Sequence, residues 1–198
     1  SDEVIEACDP SALVDSTGWA FSTTEATIPE AQWNSFGLTA SDNCALESVT
    51  YIDTQAGTCP IVITRTFTAT DSCGNTTDCE QEIRINDTTP PELTCPSDEV
   101  IEACDPSALV DSTGFAFSTT EATIPEAQWN SFGLTASDNC ALESVTYIDT
   151  QAGTCPIVIT RTFTATDSCG NTTQCVQEIE INDTTPPELT CPSDEVIE

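Results

Sequence analysis

The sequence predicts an all-β protein built of tandem antiparallel β-sandwiches with disulfide staples. Three observations predict it. Short alternating runs are separated by turn signals every 8–12 residues or so, with no sustained helical period. Twelve cysteines stand at wide spacings in a chain without histidine. The chain also repeats itself: Ser1-Asp2-Glu3-Val4-Ile5-Glu6 recurs at 97–102 and again at 193–198, a period of 96 residues.

The aligned copies differ only as Trp19/Phe115, Asp78/Gln174, Glu80/Val176 and Arg84/Glu180. Such a unit is too long for a solenoid repeat and suits one small domain. We therefore expect a first repeat over 1–87 that lacks its first strand, a complete second repeat over 88–183, and the start of a third over 184–198. The whole reads as a piece of a longer array. The stretch Asn86-Asp87-Thr88-Thr89-Pro90-Pro91 marks the boundary, because paired prolines fix φ and hold the chain extended.

The second repeat justifies the elements in order. Leu93–Cys95 is a short first strand, continued by Val100–Cys104 after Pro96 interrupts the ladder. Asp105–Pro125, rich in Ser, Thr, Asp and Gly, is irregular, with one strand expected near Phe115–Phe117. Pro125–Trp129 starts a helical turn with proline first. Ser137–Cys140 is a turn, and Glu143–Ile148 alternates as a strand. Ile157–Thr166 is the strongest strand: Ile157, Ile159, Arg161, Phe163 and Ala165 share one face and threonines the other. Arg161, like Arg65, is expected to lay its stem over the core and pair with a carboxylate. Asp167–Asn171 is a tight turn. Thr172–Ile181 is the last strand, and three of the four differences between copies fall on one parity of it. That parity is the exposed face. Many short strands of this kind suit an immunoglobulin-like sandwich.

Charge and cysteine usage narrow the function. There are 34 acidic residues, three arginines and no lysine, for a net charge of -31. Nucleic acid and anionic membrane make poor partners for this surface, and cations good ones. Solubility in salty water is the alternative reading of the acidity. Without His or Lys there is no nucleophile–base pair, so the expectation is a protein that is not an enzyme. Wide cysteine spacings indicate disulfides and an oxidising, extracellular setting. No apolar run is long enough to insert directly in a membrane.

Asp87-Thr88-Thr89-Pro90-Pro91, Thr94-Cys95-Pro96, Ser137-Asp138-Asn139-Cys140 and Thr162–Asn171 resemble the motifs of hyalin-repeat (HYR) modules. The version with six cysteines is similar to arrays in giant surface proteins of Bacteroidota, including gliding adhesins of the SprB type. The resemblance covers the chain repeat by repeat. It implies immunoglobulin-like modules at the cell surface, secreted by the type IX route, which serve as a spacer or filament in adhesion and gliding motility. In such a sandwich the first and last strands lie side by side, which suggests Cys95–Cys175. The turns at the incoming pole suggest Cys140–Cys169 and Cys44–Cys73, leaving Cys104–Cys155 and Cys8–Cys59. Each closed loop would contribute roughly 3–5 kcal/mol. On this scheme Cys79 and Cys191 have partners elsewhere.

Two further sets of residues carry chemistry. Asn86 and Asp87 precede the pole that holds Asp138, Asn139 and Asp167. Oxygen ligands without His suit Ca²⁺, and the run Asn-Asp-x-x-Pro is similar to the junction motif of cadherins. Asp42 and Asp71 would serve the preceding junction and Asp183 the following one. The alternative is that these aspartates cap their own turns. Asp87-Thr88-Thr89, Asp183-Thr184-Thr185, Asp15-Ser16-Thr17 and Asp111-Ser112-Thr113 resemble the O-glycosylation signal of Bacteroidota, on Thr88, Thr184, Ser16 and Ser112. The expected function is a rigid structural spacer whose partners are neighbouring repeats of the same long chain. Repeats that themselves bind surface glycans, or self-associate into fibres, are the alternative.

Overall fold

A computed structural model describes residues 3–192. The chain forms two compact units. The first gathers the chain through Glu92 together with Ser137–Glu143 and Thr166–Thr173. The second gathers Leu93–Ala136, Ser144–Ala165 and the described chain from Gln174 onwards.

Up to Asn86 the elements are β1 (Glu3–Glu6), α1 (Leu13–Thr17), β2 (Ala26–Ile28), β3 (Leu46–Ala56), β4 (Ile61–Asp71) and β5 (Thr76–Asn86). Their counterparts follow as β6 (Glu92–Thr94), β7 (Glu99–Glu102), α2 (Leu109–Thr113), β8 (Ala122–Ile124), β9 (Thr135–Ser137), β10 (Leu142–Ala152), β11 (Ile157–Asp167) and β12 (Thr172–Asn182). One five-stranded sheet has the order β1-β5-β4-β3-β2 and the other β7-β12-β11-β10-β8. Both are mixed, where purely antiparallel sheets were expected: β1 runs parallel to β5, as β7 does to β12, and the β2–β3, β3–β4 and β4–β5 pairs are antiparallel. A two-stranded ladder joins β6 and β9.

The alternation read in β11 holds. Ile157, Ile159, Arg161, Phe163 and Ala165 are buried, and the intervening residues are half-exposed. In β12, Gln177, Ile179 and Ile181 are buried while Val176 is exposed. The core of the first sheet has two parts. Ile5, Leu13, Ile61, Ile63, Ile83 and Ile85 form one, and Trp19, Ile28, Val49, Tyr51 and Phe67 the other. Trp19 and its counterpart Phe115 are both core residues, 6% and 4% exposed, so this exchange is a packing change.

Three further expectations need correction. No strand forms at Phe115–Phe117; the strand of that region is β8. The carbonyls of Phe115 and Ala116 accept from Arg161 Nη2, so they are not offered to a ladder. Pro125 precedes the helical turn as its cap, with ψ 142°, and the turn is a 3₁₀ segment over Glu126–Gln128. The Glu143–Ile148 strand is longer than expected, running from Leu142 to Ala152.

Each irregular segment is held to its sheet by a buried arginine. Arg65 is fully buried, and its Nε and Nη2 donate to Asp53 Oδ1 and Oδ2 at 2.7 and 2.8 Å. Asp53 sits directly across the β3–β4 ladder from Arg65. Nη1 donates to Thr17 Oγ1 at 2.9 Å and Nη2 to the Ala20 carbonyl at 3.0 Å, while the guanidinium lies 4.6 Å from the Tyr51 ring centre. Arg161 and Asp149 repeat the arrangement with Thr113, Ala116 and Tyr147. An ion pair at this depth is satisfied only while every donor has its acceptor.

Asp149→Ala therefore costs about 3–5 kcal/mol, because it leaves the guanidinium buried without its counter-ion. Urea denaturation will show the loss as a lower midpoint. The double change Asp149→Leu with Arg161→Met regains only part of it, since the Ser118 amide still loses its acceptor, Asp149 Oδ2.

Candidate functional site

The site lies within the first compact unit, where the end of β5 meets the turns at residues 137–143 and 166–173. Aspartates shape both turns. Asp138 Oδ1 accepts from the Cys140 and Ala141 amides at 2.8 and 3.0 Å. Asp167 Oδ1 accepts from the Cys169 and Asn171 amides, each at 2.8 Å, and its Oδ2 accepts from Asn171 Nδ2 at 2.7 Å. The turn-capping chemistry is thus present at both, and Asp167 has no oxygen left unused. In the first repeat Asp42 and Asp71 bond the Cys44 and Cys73 amides in the same way.

Asp87 is the centre of the site. It is 2% exposed, and its Oδ1 accepts from the Thr89 amide and from Asn139 Nδ2. Its backbone carbonyl accepts from Asn171 Nδ2 at 2.9 Å. Asp87 Oδ2 and Asp138 Oδ2 are buried without a hydrogen-bond partner. Asp87, Asp138 and Cys140 each offer one ligand atom, all within 4.8 Å of one another. The Cys140 sulfur is committed to a disulfide, so the free donors are the two carboxylate oxygens. A cavity of about 280 Å³ lies alongside, lined by Thr89, Pro90, Glu92, Ser137, Asp138 and Asn139.

The other expected cation ligands are placed differently. Asn86 Oδ1 lies 3.4 Å from Cys59 Sγ. Asp42 is exposed and Asp71 half-buried, and each caps its turn. Asp183 is exposed, with Oδ1 accepting from the Thr185 amide. Of the glycosylation candidates, Ser16 and Ser112 are exposed. The hydroxyls of Thr88 and Thr184 donate to Glu6 and Glu102. Thr88 in turn holds the Glu6 carboxyl below its ordinary range through its amide and its hydroxyl.

The disulfides correct the expected scheme. Cys95–Cys175 is present as read. Cys8–Cys59 and Cys140–Cys169 are replaced by Cys8–Cys140 and Cys59–Cys169. The same four cysteines converge, with partners exchanged. Cys44–Cys73 and Cys104–Cys155 do not form: all four thiols are free and exposed, as are Cys79 and Cys191. Sequence reasoning also missed Asn171, which ties its turn to Asp87. Its place beside Gly170 in a Gly-Asn turn signals only the turn.

Comparisons with family profiles and with characterised proteins return no match to the chain.

Trypsin tests the connectivity, since it cuts only after Arg65, Arg84 and Arg161 once the chain is denatured with free thiols alkylated. The observed links hold 1–65, 85–161 and 162–198 in one covalent species and release 66–84 alkylated at Cys73 and Cys79. A Cys44–Cys73 bond would instead keep 66–84 attached to 1–65.

Proposed function

We propose that this chain is a load-bearing, non-catalytic spacer segment of a large extracellular surface protein, made of immunoglobulin-like modules of the hyalin-repeat kind. The observation that carries this reading is the pair of disulfides, Cys8–Cys140 and Cys59–Cys169, that tie the first sequence repeat to two turns of the second. A flexible string of domains has no need of such bonds, whereas a spacer under tension gains from them. The antiparallel ladders that join β2, β3, β4 and β5 in sequence support the immunoglobulin-like reading. Disulfides indicate an oxidising, extracellular environment. No described helix is long and apolar enough to cross a membrane.

Force spectroscopy on the chain, pulled by its two ends, tests the reading. The Cys8–Cys140 bond removes 132 residues from the load path. The oxidised chain therefore stops extending about 450 Å short of the reduced chain, at about 3.4 Å per residue. Extension at negligible force in the oxidised state would overturn the role.

A second reading concerns the same site and rests on the unpaired oxygens of Asp87 and Asp138. Two carboxylates facing each other in a buried place repel, and a hard divalent cation between them relieves the repulsion and accepts both oxygens. We propose Ca²⁺, with the Asn139 side chain, backbone carbonyls and water from the adjoining cavity completing the ligand set. Calorimetry after chelation is expected to show saturable Ca²⁺ binding that Asp87→Asn abolishes. Saturating Ca²⁺ raises stability by about 2.7 kcal/mol at a hundredfold excess over Kd. No heat at millimolar Ca²⁺ sinks the idea.

A further inference from the structure

The six free cysteines form a pattern. The bonds within the chain are Cys8–Cys140, Cys59–Cys169 and Cys95–Cys175. Moving forward by the period of 96 turns Cys8, Cys59 and Cys95 into Cys104, Cys155 and Cys191. Moving back by 96 turns Cys140, Cys169 and Cys175 into Cys44, Cys73 and Cys79. These six are the free thiols, all exposed. Every free thiol is thus one half of a bond that the chain makes elsewhere with its identical counterpart.

Both halves already hold the shape they have when bonded. Asp42 and Asp71 accept from the Cys44 and Cys73 amides at 2.8 Å, the distances found at Cys140 and Cys169. Cys155 Sγ lies 3.8 Å from Asn182 Oδ1, as Cys59 Sγ lies 3.4 Å from Asn86 Oδ1. Asp183 and Asp42, the counterparts of Asp87 and Asp138, are both exposed.

A groove and a strand form a third matching pair. The first repeat has a cavity of about 350 Å³ lined by Leu38, Ala40, Val49, Phe67, Ala69 and Cys79 among others. Leu38, Ala40 and Ala69 are half-buried, whereas in the second repeat their counterparts Leu134, Ala136 and Ala165 are buried, at 0–6% exposure. There β9 pairs with β6, and Cys95 bonds Cys175. Residues 39–41, the counterpart of β9, form no strand. Residues 188–191 repeat Glu92-Leu93-Thr94-Cys95 letter for letter, and Leu189 stands 89% exposed.

We propose that each repeat joins the next head to tail through these faces, and that two copies of this chain supply the contact to each other. Residues 188–190 of one copy add as a strand beside residues 39–41 of the other. Three disulfides then close across the contact: Cys191 to Cys79, Cys104 to Cys44, and Cys155 to Cys73. Each bond needs an oxidant, and a small-molecule disulfide such as oxidised glutathione supplies it. A protein thiolate attacks the small disulfide and releases one small thiol. The partner's thiolate then attacks the mixed disulfide and releases the second. The two protein thiols lose two electrons and two protons, which the small disulfide gains. The proposal rests on the reading of the chain as a disulfide-linked structural array, and adds its partner and its contact residues.

The test uses the full chain, purified with its three internal disulfides, and incubated concentrated with oxidised glutathione. Non-reducing electrophoresis should show a ladder at multiples of 21.0 kDa that reductant collapses to one band. Two triple variants make the test directional. The variant Cys104→Ser, Cys155→Ser, Cys191→Ser lacks the tail half, and Cys44→Ser, Cys73→Ser, Cys79→Ser lacks the head half. Each alone is expected to stay monomeric; mixed, they give a dimer and nothing longer. Because residues 193–198 duplicate 1–6, a chain ending at Pro192 serves as a second form, and a ladder from either form supports the proposal. Monomer from both forms overturns it, as does dimer from either triple variant alone. If 66–84 is still released by trypsin in that case, the internal linkage stands and only the assembly falls.

Discussion

The buried Arg65–Asp53 pair, and Arg161–Asp149 with it, is the constraint on which the rest of the structure depends. The residues between β1 and β2 have too few strand-forming positions to join the sheet by backbone ladders. The guanidinium does this work instead. It spends its donors on a carboxylate across the β3–β4 ladder, a threonine hydroxyl at the end of α1, and the carbonyls that follow. The irregular segment is thereby fixed over the sheet at Thr17 to Ala20. Gly18 turns the chain there with φ 79°, and the Phe36 ring lies so close that a side chain on Gly18 would strike it. Phe36 in turn meets Trp19 edge to face at 5.3 Å. A charge buried in this way favours one arrangement of the segment over compact alternatives, because any other leaves it unpaired.

How much of this was legible follows from the range of each signal. Strand periodicity is local, so β11 and β12 could be read residue by residue, including the buried arginine face. The partner of that arginine could not. Asp149 stands among many acidic residues, and only the β10–β11 register sets it apart. The strand misplaced at Phe115–Phe117 has the same origin: its aromatic alternation is real, but it serves core packing while its carbonyls serve Arg161. Turn chemistry was legible at Asp138 and Asp167 because Asx capping is decided within four residues.

The disulfides show a different limit. Four cysteines, Cys8, Cys59, Cys140 and Cys169, come together, and proximity within one repeat cannot choose among their pairings. The Ser72 amide bonds the Ala45 carbonyl at 3.1 Å, so the turns carrying Cys44 and Cys73 are neighbours, as the strand order implied. Neighbouring turns can still aim both sulfurs outward. In a chain of near-identical repeats, spacing names the kinds of cysteine that approach each other and leaves open which copy each belongs to.

The repeats differ at four positions. Asp78/Gln174, Glu80/Val176 and Arg84/Glu180 lie on outward-facing positions of β5 and β12, and Trp19/Phe115 exchanges one core aromatic for another. Every residue of the cysteine-bearing turns, and of the Asn86–Pro91 stretch that meets them, is the same in both copies. In the proposed assembly the two contact faces of a repeat are unlike each other, so their association is heterologous, and a heterologous contact that does not close into a ring propagates without limit. Identical faces on each repeat then make every junction equivalent. Length can be set by copy number alone, while the exposed strand faces stay free to vary in charge. The acidity fits the same logic: with a net charge of -31, chains repel side by side at low salt, and a short-range contact sealed covalently at its ends is the kind of association that survives this repulsion.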